Sequence, residues 1–322
     1  MNLAMNHETN WADALPWLSQ LSFSKLRITL QAQEAAQLSS FTLNAVRGWL
    51  GPALLRVEFC SFLRERPCPP CVAPAGCTYH SFFEGNTAEA TKPFVFALPH
   101  RPRELAQDEL LPVQLTLIGS GAQHQDKVAV AYLRFEQGAR LFNAPFKLAS
   151  LQAVASDGTV VPYQVGQRQL TTLADLLATP HAEALLTATR LRIRYDIPAS
   201  LLAGGRLLDK EQLDFAVLTR RLLKRLYLLA TEHCGSASPY LDVTELLEAA
   251  RAIRLIESEL HWRDDIRNSR RMGMKQLFGG YIGWQVYEGD FTPFVPLLLL
   301  GEQLHVGKRA TFGFGRITVE AE

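Results

Sequence analysis

The chain has 322 residues, of which 48% are hydrophobic and 20% charged, and its formal net charge is +1. This composition is typical of a globular protein and excludes a disordered chain, a collagen and a coiled coil, while the length predicts two domains at roughly 150 residues each. The N-terminus shows no basic start followed by an apolar run, and the apolar stretch 294–300 is far shorter than the roughly 20 residues of a membrane helix. We therefore expect a cytoplasmic protein.

The hydrophobic pattern of the first half of the chain predicts a series of strands and helices. Leu26, Ile28 and Leu30 alternate with polar residues, which is the period of a half-buried strand. In chain order, the pattern then predicts a helix over 41–63, strands over 94–98 and 110–118, a helix over 126–137 and a strand over 146–154. The order of elements is βαββαβ.

The same order recurs in the second half. The pattern predicts a strand over 191–197, a helix over 212–232, strands over 249–262 and 278–287, a short helix over 292–303 and a last strand over 312–320. Two such units predict an α+β fold of two tandem ferredoxin-like (RRM-like, βαββαβ) domains with a cysteine-rich insertion in the first. The expected domains are 1–155 and 190–322, and 156–189 is the expected linker.

Four of the five cysteines lie close together in the sequence, at Cys60, Cys68, Cys71 and Cys77. Their spacing, C-x7-C-x2-C-x5-C, contains a CxxC pair, and four thiolates at tetrahedral distances hold a structural zinc ion with no open position for catalysis. We therefore predict a structural zinc site within 60–77. A reduced cysteine-rich loop and an iron–sulfur cluster are the alternatives.

A glycine-rich loop over 305–316 is the most unusual local sequence. Its glycines would let backbone N–H groups approach a phosphate, and basic residues lie among them. The residues concerned are Gly307, Lys308, Arg309, Gly313, Gly315 and Arg316. The spacing is neither that of a Walker A loop nor that of a dinucleotide fingerprint. The structural alternative is a glycine-rich hairpin with Phe312 and Phe314 in the core.

A second basic segment precedes this loop. No acidic residue occurs over 266–287, and the segment carries Arg267, Arg270, Arg271 and Lys275. Local basic patches in a neutral protein can indicate contact with a polyanion, although a solvated face is the more ordinary explanation. The two basic segments are therefore candidate sites of contact with a polyanion.

The sequence LHVGKRATFGFGRI, at 304–317, resembles the C-terminal glycine-rich loop of the RAMP superfamily, in particular of the CRISPR-associated endoribonucleases that process precursor CRISPR RNA. The segments NSRRM at 268–272, LFGGYIG at 277–283 and VRGWLG at 46–51 are similar to further parts of that family. The resemblance implies an enzyme that cuts CRISPR repeat RNA without a metal ion. The ribose 2′-hydroxyl attacks the neighbouring phosphate and leaves a 2′,3′-cyclic phosphate. The implied partners are CRISPR repeat RNA, which the residues of the two basic segments would hold, and other subunits of a CRISPR effector complex.

This chemistry needs a base, an acid and cations around the phosphate. Many family members place a catalytic histidine in or near the first helix, but 41–63 contains none. We expect His305, and after it His261, to transfer protons, because histidine titrates near neutral pH. Lys308 is the expected cation for the phosphate. The alternatives are packing at a helix end for His305, packing at a strand end for His261 and a plain phosphate anchor for Lys308.

Three functions therefore stay open at the level of sequence. The first is the metal-independent endoribonuclease, and the second is a non-catalytic RAMP subunit that holds guide RNA in a CRISPR effector complex. The second function stays open because the predicted first helix contains no histidine. The third is a zinc-stapled RNA-binding protein unrelated to CRISPR, which would leave the glycine-rich loop unexplained.

Overall fold

Two antiparallel β-sheets, one from each half of the chain, carry the fold. The computed structural model describes residues 15–38, 42–62, 68, 71, 76–84, 91–98, 103–134, 139–141, 144–203, 206–237, 243–269 and 274–322. At 103, 202–203, 206–207, 265–269 and 274–278 it describes the backbone alone. Within these ranges, no helix combines the length and the apolar composition needed to cross a membrane.

The helices and strands follow one another in an order close to that predicted. The first half contains β1 (Ser22–Ala32), β2 (Ala36–Leu38), α1 (Thr42–Val57), β3 (Phe94–Ala97), β4 (Arg103–Leu105), β5 (Leu110–Ile118), α2 (Gln125–Leu133), β6 (Ala139–Leu141) and β7 (Ala144–Val154). The middle contains β8 (Val160–Pro162), β9 (Thr171–Thr172), α3 (Leu173–Leu177) and α4 (Pro180–Thr187). The second half contains β10 (Arg190–Ala199), β11 (Leu202–Ala203), β12 (Arg206–Leu207), α5 (Phe215–His233), α6 (Thr244–Ala252), β13 (Arg254–Ser269), β14 (Met274–Glu288), α7 (Val295–Leu304) and β15 (Thr318–Ala321).

Strand β1 lies at the centre of the first sheet, whose order is β3-β5-β1-β7-β6. Leu26 pairs with Leu115 of β5 on one side and with Ala153 of β7 on the other. The alternation predicted for β1 is confirmed, because Leu26, Ile28 and Leu30 are all fully buried. They share a core cluster with residues of α1 and α2, which cover one face of the sheet.

The second sheet has the order β13-β14-β10-β15, so β10 again lies between two antiparallel neighbours. Helices α5 and α7 contribute Leu222, Leu226, Leu298 and Leu300 to its core, where they meet Ile193 of β10. The predicted α+β class with antiparallel sheets is confirmed. Both halves run β-α-β-β-α-β along the main path, and the tandem ferredoxin-like arrangement with its cysteine insertion stays a prediction.

Two boundaries in the second half differ from the prediction. Residues 244–252 form helix α6, because Leu246 and Ala250 are buried four residues apart on one helical face, so the predicted strand over 249–262 begins only at Arg254. The last strand begins at Thr318, since 310–312 form a 3₁₀ turn. Gly313 and Gly315, which follow the turn, have left-handed φ values that a strand does not accept.

The predicted linker 156–189 contains folded elements. Strand β9 pairs with the start of β1, where Phe23 is opposite Thr171. Helices α3 and α4 bury Leu176 and Leu185 in the core of the second half. Phe23 itself lies in that same core, so residues of the first half contribute to the apolar interior of the second. The division at 155 and 190 stays a prediction about domains.

A comparison of two glycines would test how tightly the glycine-rich loop is packed. Gly315 and Gly158 have similar left-handed φ values, +71° and +86°, but a Cβ at 315 would lie 1.7 Å from the carbonyl oxygen of Val306, whereas nothing lies within 4 Å of one at 158. We expect Gly158→Ala to lower the free energy of unfolding by about 1 kcal/mol through backbone strain alone. Gly315→Ala should lower it by at least about 3 kcal/mol, because the loop must also move. Urea unfolding measures both, and equal losses would contradict the close packing.

Candidate functional site

The glycine-rich loop connects α7 to β15 and closes on itself. The N–H of Val306 donates to the carbonyl of Gly315 at 2.7 Å, and the N–H of Gly315 donates to the carbonyl of Pro198 on β10 at 3.0 Å. Gly307 lies against the Ser200 carbonyl, where a Cβ would approach to 2.7 Å. These glycines therefore serve close backbone packing. Of the two phenylalanines considered for the core, Phe314 is fully buried.

The loop also packs against the first half of the chain. A Cβ at Gly313 would lie 2.2 Å from Leu43 of α1, so glycine lets the loop reach that helix. The guanidinium of Arg47, also on α1, lies over the ring of Phe312 at 4.5 Å and over that of Phe83 at 4.8 Å. The arginine is thus held between an aromatic ring of the loop and one of the first half.

A basic cavity of about 330 Å³ opens beside this loop. The cations that line it come from three separate parts of the chain: Lys92, then Arg221, Lys224 and Arg225 of α5, then Lys308 and Arg309 of the loop. Among the described residues, no aspartate, glutamate or histidine lines it. A concave site with six cations and no carboxylate in its lining favours an anionic ligand.

Burial changes the electrostatics of these cations. Burial lowers the pKa of Arg225 to about 10, and its Nε donates to the carbonyls of Leu304 and His305 at 2.9 and 3.0 Å. Burial, with the nearby charge of Arg47, lowers the pKa of Lys92. Within the part of the chain that the structure describes, the buried Nε of Arg221 has no hydrogen-bond partner.

His305 does not fit the role expected of it. Its side chain is only 2% exposed, and Nδ1 lies 3.1 Å from the carbonyl oxygen of Phe314, to which it can donate. Burial, together with the charges of Arg225 and Arg316, lowers its pKa to about 3. A neutral, enclosed imidazole cannot reach an RNA bound at the surface, so the geometry supports the packing alternative.

The other sequence-predicted residues fall into three groups. Gly307, Lys308 and Arg309 line the cavity, whereas the exposed Arg316 does not. His261 lies on β13 with its side chain 67% exposed, 3.6 Å from Glu259, and it does not line the cavity either. Of the second basic segment, residues 266–269 lie at the end of β13 and residues 274–287 on β14. There the structure gives only the backbone of Arg267 and Lys275, and Arg270 and Arg271 lie outside the described residues.

The structure places the four clustered cysteines in different surroundings. Cys60, Cys68 and Cys77 pack at the edge of the first core, while Cys71 is exposed. Burial raises the pKa of the Cys77 thiol, which disfavours the thiolate that a metal requires. Across the described ranges, no three or more His, Cys, Asp or Glu side chains are grouped as metal ligands. The zinc site within 60–77 stays a prediction.

Sequence reasoning missed four of the six cavity cations and the stacked arginine. Arg221 and Arg225 are four residues apart on a helix that was predicted, with Lys224 beside them, so their shared face could have been found from helical spacing. Lys92 and Arg47 gave no such signal. They reach the site only through the packing of the two halves.

The burial of His305 has a measurable consequence for stability. Its pKa is about 3 in the folded protein against 6.5 as a free side chain, so below pH 6.5 the unfolded chain binds the proton and the folded chain does not. This imidazole should therefore remove about 2 kcal/mol of folding free energy between pH 6.5 and 5. We expect His305→Asn, which keeps a donor for Phe314, to show a flatter pH dependence of unfolding. Parallel curves for the two proteins would contradict the burial.

Two family models match parts of the chain. A family model described as an N-terminal domain matches residues 21–175, and the model of the CRISPR-associated endoribonuclease Cas6 matches residues 184–317. No curated protein matches the chain.

Solved structures agree in fold at low sequence identity. A partial Cas6-RT-Cas1–Cas2 complex has a TM-score of 0.63 at 17% identity over 94% of this chain and 46% of that one. A product complex of Cas6 (TTHB231) has a TM-score of 0.57 at 16% identity over 92% and 100%. The same Cas6 from Thermus thermophilus, in a further structure, has a TM-score of 0.54 at 16% identity over 93% and 99%. This chain thus spans less than half of the Cas6-RT-Cas1 chain in the first complex. Residues 184–317 thus match the model of the CRISPR-associated endoribonuclease Cas6, and the fold of the chain is similar to that of solved Cas6 structures.

Proposed function

We propose that this protein cleaves CRISPR repeat RNA to make guide RNAs, without a catalytic metal ion. The ribose 2′-hydroxyl attacks the adjacent phosphate, the bond to the 5′-oxygen breaks, and the products carry a 2′,3′-cyclic phosphate and a 5′-hydroxyl. The observation that carries the proposal is the basic cavity, which joins six cations beside the glycine-rich loop of a Cas6 domain. The Cas6 structure described as a product complex supports the same class of ligand.

The cavity residues suit a reaction that concentrates negative charge on phosphorus. Lys308 and Arg309 extend from the loop on one side, and Arg221 and Lys224 extend from α5 on the other. Cations fixed around a phosphate stabilise the charge that develops as the 2′-oxygen attacks. They also hold the RNA backbone in place, and alignment of a nucleophile that the RNA itself carries can supply much of the rate.

The described cavity lining provides cations and no histidine for proton transfer. His305 is buried, and no described histidine lines the cavity. Stabilisation of charge by the cavity cations therefore carries the proposed reaction. The role predicted for His261, which lies on β13 and not in the cavity lining, stays a prediction.

The same observation favours a second candidate function. A cavity lined by six cations and no described histidine is suited to bind the phosphates of a guide RNA without cutting the RNA. The protein would then be a non-catalytic RAMP subunit of a CRISPR effector complex. Because two similar structures are described as complexes of Cas6-RT-Cas1 with Cas2, we propose other CRISPR proteins as partners in either case.

RNA binding should depend on the cavity cations. We expect Lys308→Ala and Arg221→Ala each to weaken binding of a repeat RNA and to reduce the slope of log K against log salt by about one phosphate contact. The control is Lys210→Ala, which removes a 59% exposed lysine that does not line the cavity. Fluorescence anisotropy over a series of salt concentrations measures the slope. Slopes unchanged from the wild type would show that RNA does not use this cavity.

A cleavage assay separates the two candidate functions. With a labelled repeat RNA in excess EDTA, we expect a single cut that a 2′-deoxy substitution at the cut site abolishes, because the deoxy sugar lacks the attacking group. Mass spectrometry of the upstream fragment should show a cyclic phosphate. Tight binding without cutting would instead identify the RNA-holding subunit, and cutting that stops in EDTA while circular dichroism is unchanged would rule out the metal-free reaction.

A further inference from the structure

The basic cavity is assembled from both halves of the chain. Among the described residues, Thr91 and Lys92 are the lining that the first half provides, and all other lining residues lie at 200–311. The Lys92 ammonium donates to the carbonyl of Glu84 at 2.8 Å. Whether Lys92 faces a bound phosphate therefore depends on how the segment around Thr91 is fixed to the second half.

Two residues at the C-terminal end of α5 hold Thr91 through its polar groups. The Thr91 backbone N–H donates to Oε2 of Glu232 at 2.7 Å, and the Thr91 hydroxyl donates to the same oxygen. Nε2 of His233 lies 2.9 Å from the Thr91 carbonyl oxygen, to which it donates. The N–H, the hydroxyl and the carbonyl of one residue are thus bound by two consecutive residues of the other half.

The turn before α2 contacts the same end of α5. The Ser120 hydroxyl lies 3.3 Å from Nδ1 of His233. A Cβ at Gly119 would lie 2.1 Å from the His233 carbonyl oxygen, so glycine is needed for the helix end to come this close. Burial lowers the pKa of His233, which favours the neutral ring with one donor and one acceptor nitrogen that these two bonds require.

Glu232 is a carboxylate beside a cationic cavity, so its negative charge alone would weaken the binding of RNA there. Its charge opposes that of the phosphates, whereas its oxygen fixes the segment that carries Lys92. We propose that Glu232 and His233 are positioning residues for RNA cleavage, which act by holding Lys92 of the first half in the basic cavity. This inference rests on the proposed function and adds the residues that join the halves at the site.

The two roles of Glu232 can be separated by a pair of substitutions. Glu232→Gln and Glu232→Ala both remove the charge, but only the glutamine keeps an oxygen that can accept both bonds from Thr91. We expect Glu232→Ala to lower the single-turnover rate of repeat cleavage about tenfold, since small displacements of a catalytic cation are costly. Glu232→Gln should stay within about threefold of the wild type. Glu248→Ala, which removes an exposed carboxylate of α6, is the control.

A double mutant tests the link to Lys92. If Glu232 acts through Lys92, then Lys92→Ala should lower the rate at least as much as Glu232→Ala, and the double substitution should lower it no further than Lys92→Ala alone. Thermal unfolding of each variant shows whether it is folded. Equal effects of Glu232→Ala and Glu232→Gln, faster cleavage by both, or fully multiplicative losses in the double mutant would each overturn the proposal.

The salt dependence of RNA binding provides a readout that does not require cutting. Loss of Lys92 from the cavity should reduce the salt slope by about one contact in both Lys92→Ala and Glu232→Ala, but not in Glu232→Gln. A wild type that binds repeat RNA without cutting it would overturn the proposed nuclease function. The slopes would still decide whether Glu232 positions Lys92, and a wild-type slope in Glu232→Ala would show that it does not.

Discussion

The glycine-rich loop packs against both halves of the chain at once, and the shape of the basic cavity depends on this contact. Gly313 touches Leu43 of α1, while Gly315 lies against the backbone of its own loop. Phe312 packs under the guanidinium of Arg47. Because Lys308 and Arg309 belong to the same short segment, the packing that fixes the glycines also fixes the backbone from which both cations extend. The loop is therefore a rigid support for charge.

The three cations of α5 that line the cavity divide into one that supports the structure and two that are left for a ligand. Arg225 donates to the carbonyls of Leu304 and His305, at the C-terminal end of α7, where the helix dipole is negative. Arg221 and Lys224 line the cavity, in which the described residues provide no carboxylate. Like charges held together repel one another, and a bound polyanion removes that repulsion. The fold thus brings like charges together at the place where a bound phosphate would offset their repulsion.

The sequence was informative where local pattern decides structure and uninformative where packing does. Alternation located β1, and helical spacing located α5, because each depends on neighbours in the chain. The strand predicted over 249–262 was wrong at its start, since the apolar residues there fit a helical face as well as a strand. Lys308 and Arg309, which the sequence singled out for their place in the glycine-rich loop, line the cavity, and their role in RNA binding stays a prediction. His305 has the right residue type in the right loop, but only the tertiary structure shows its imidazole to be buried.

The absence of histidine from the described cavity lining bears on how the proposed reaction would proceed. RNA carries its own nucleophile, so an enzyme that aligns the 2′-hydroxyl and stabilises the charged phosphate can cut without a dedicated base. General acid–base catalysis typically adds a further 10²–10⁴-fold, and an enzyme without it would be slow. A slow rate suits a protein that cuts one repeat and keeps hold of the product, because turnover is then not required. The cations that stabilise the transition state also bind the product phosphate, so the nuclease and the RNA-holding subunit would use the same cavity in the same way. The two functions would differ in how rigidly Lys92, Lys308 and the α5 arginines are held. Only a rigid arrangement stabilises the transition state more than the bound RNA, so the contact between the two halves is the decisive feature of the site.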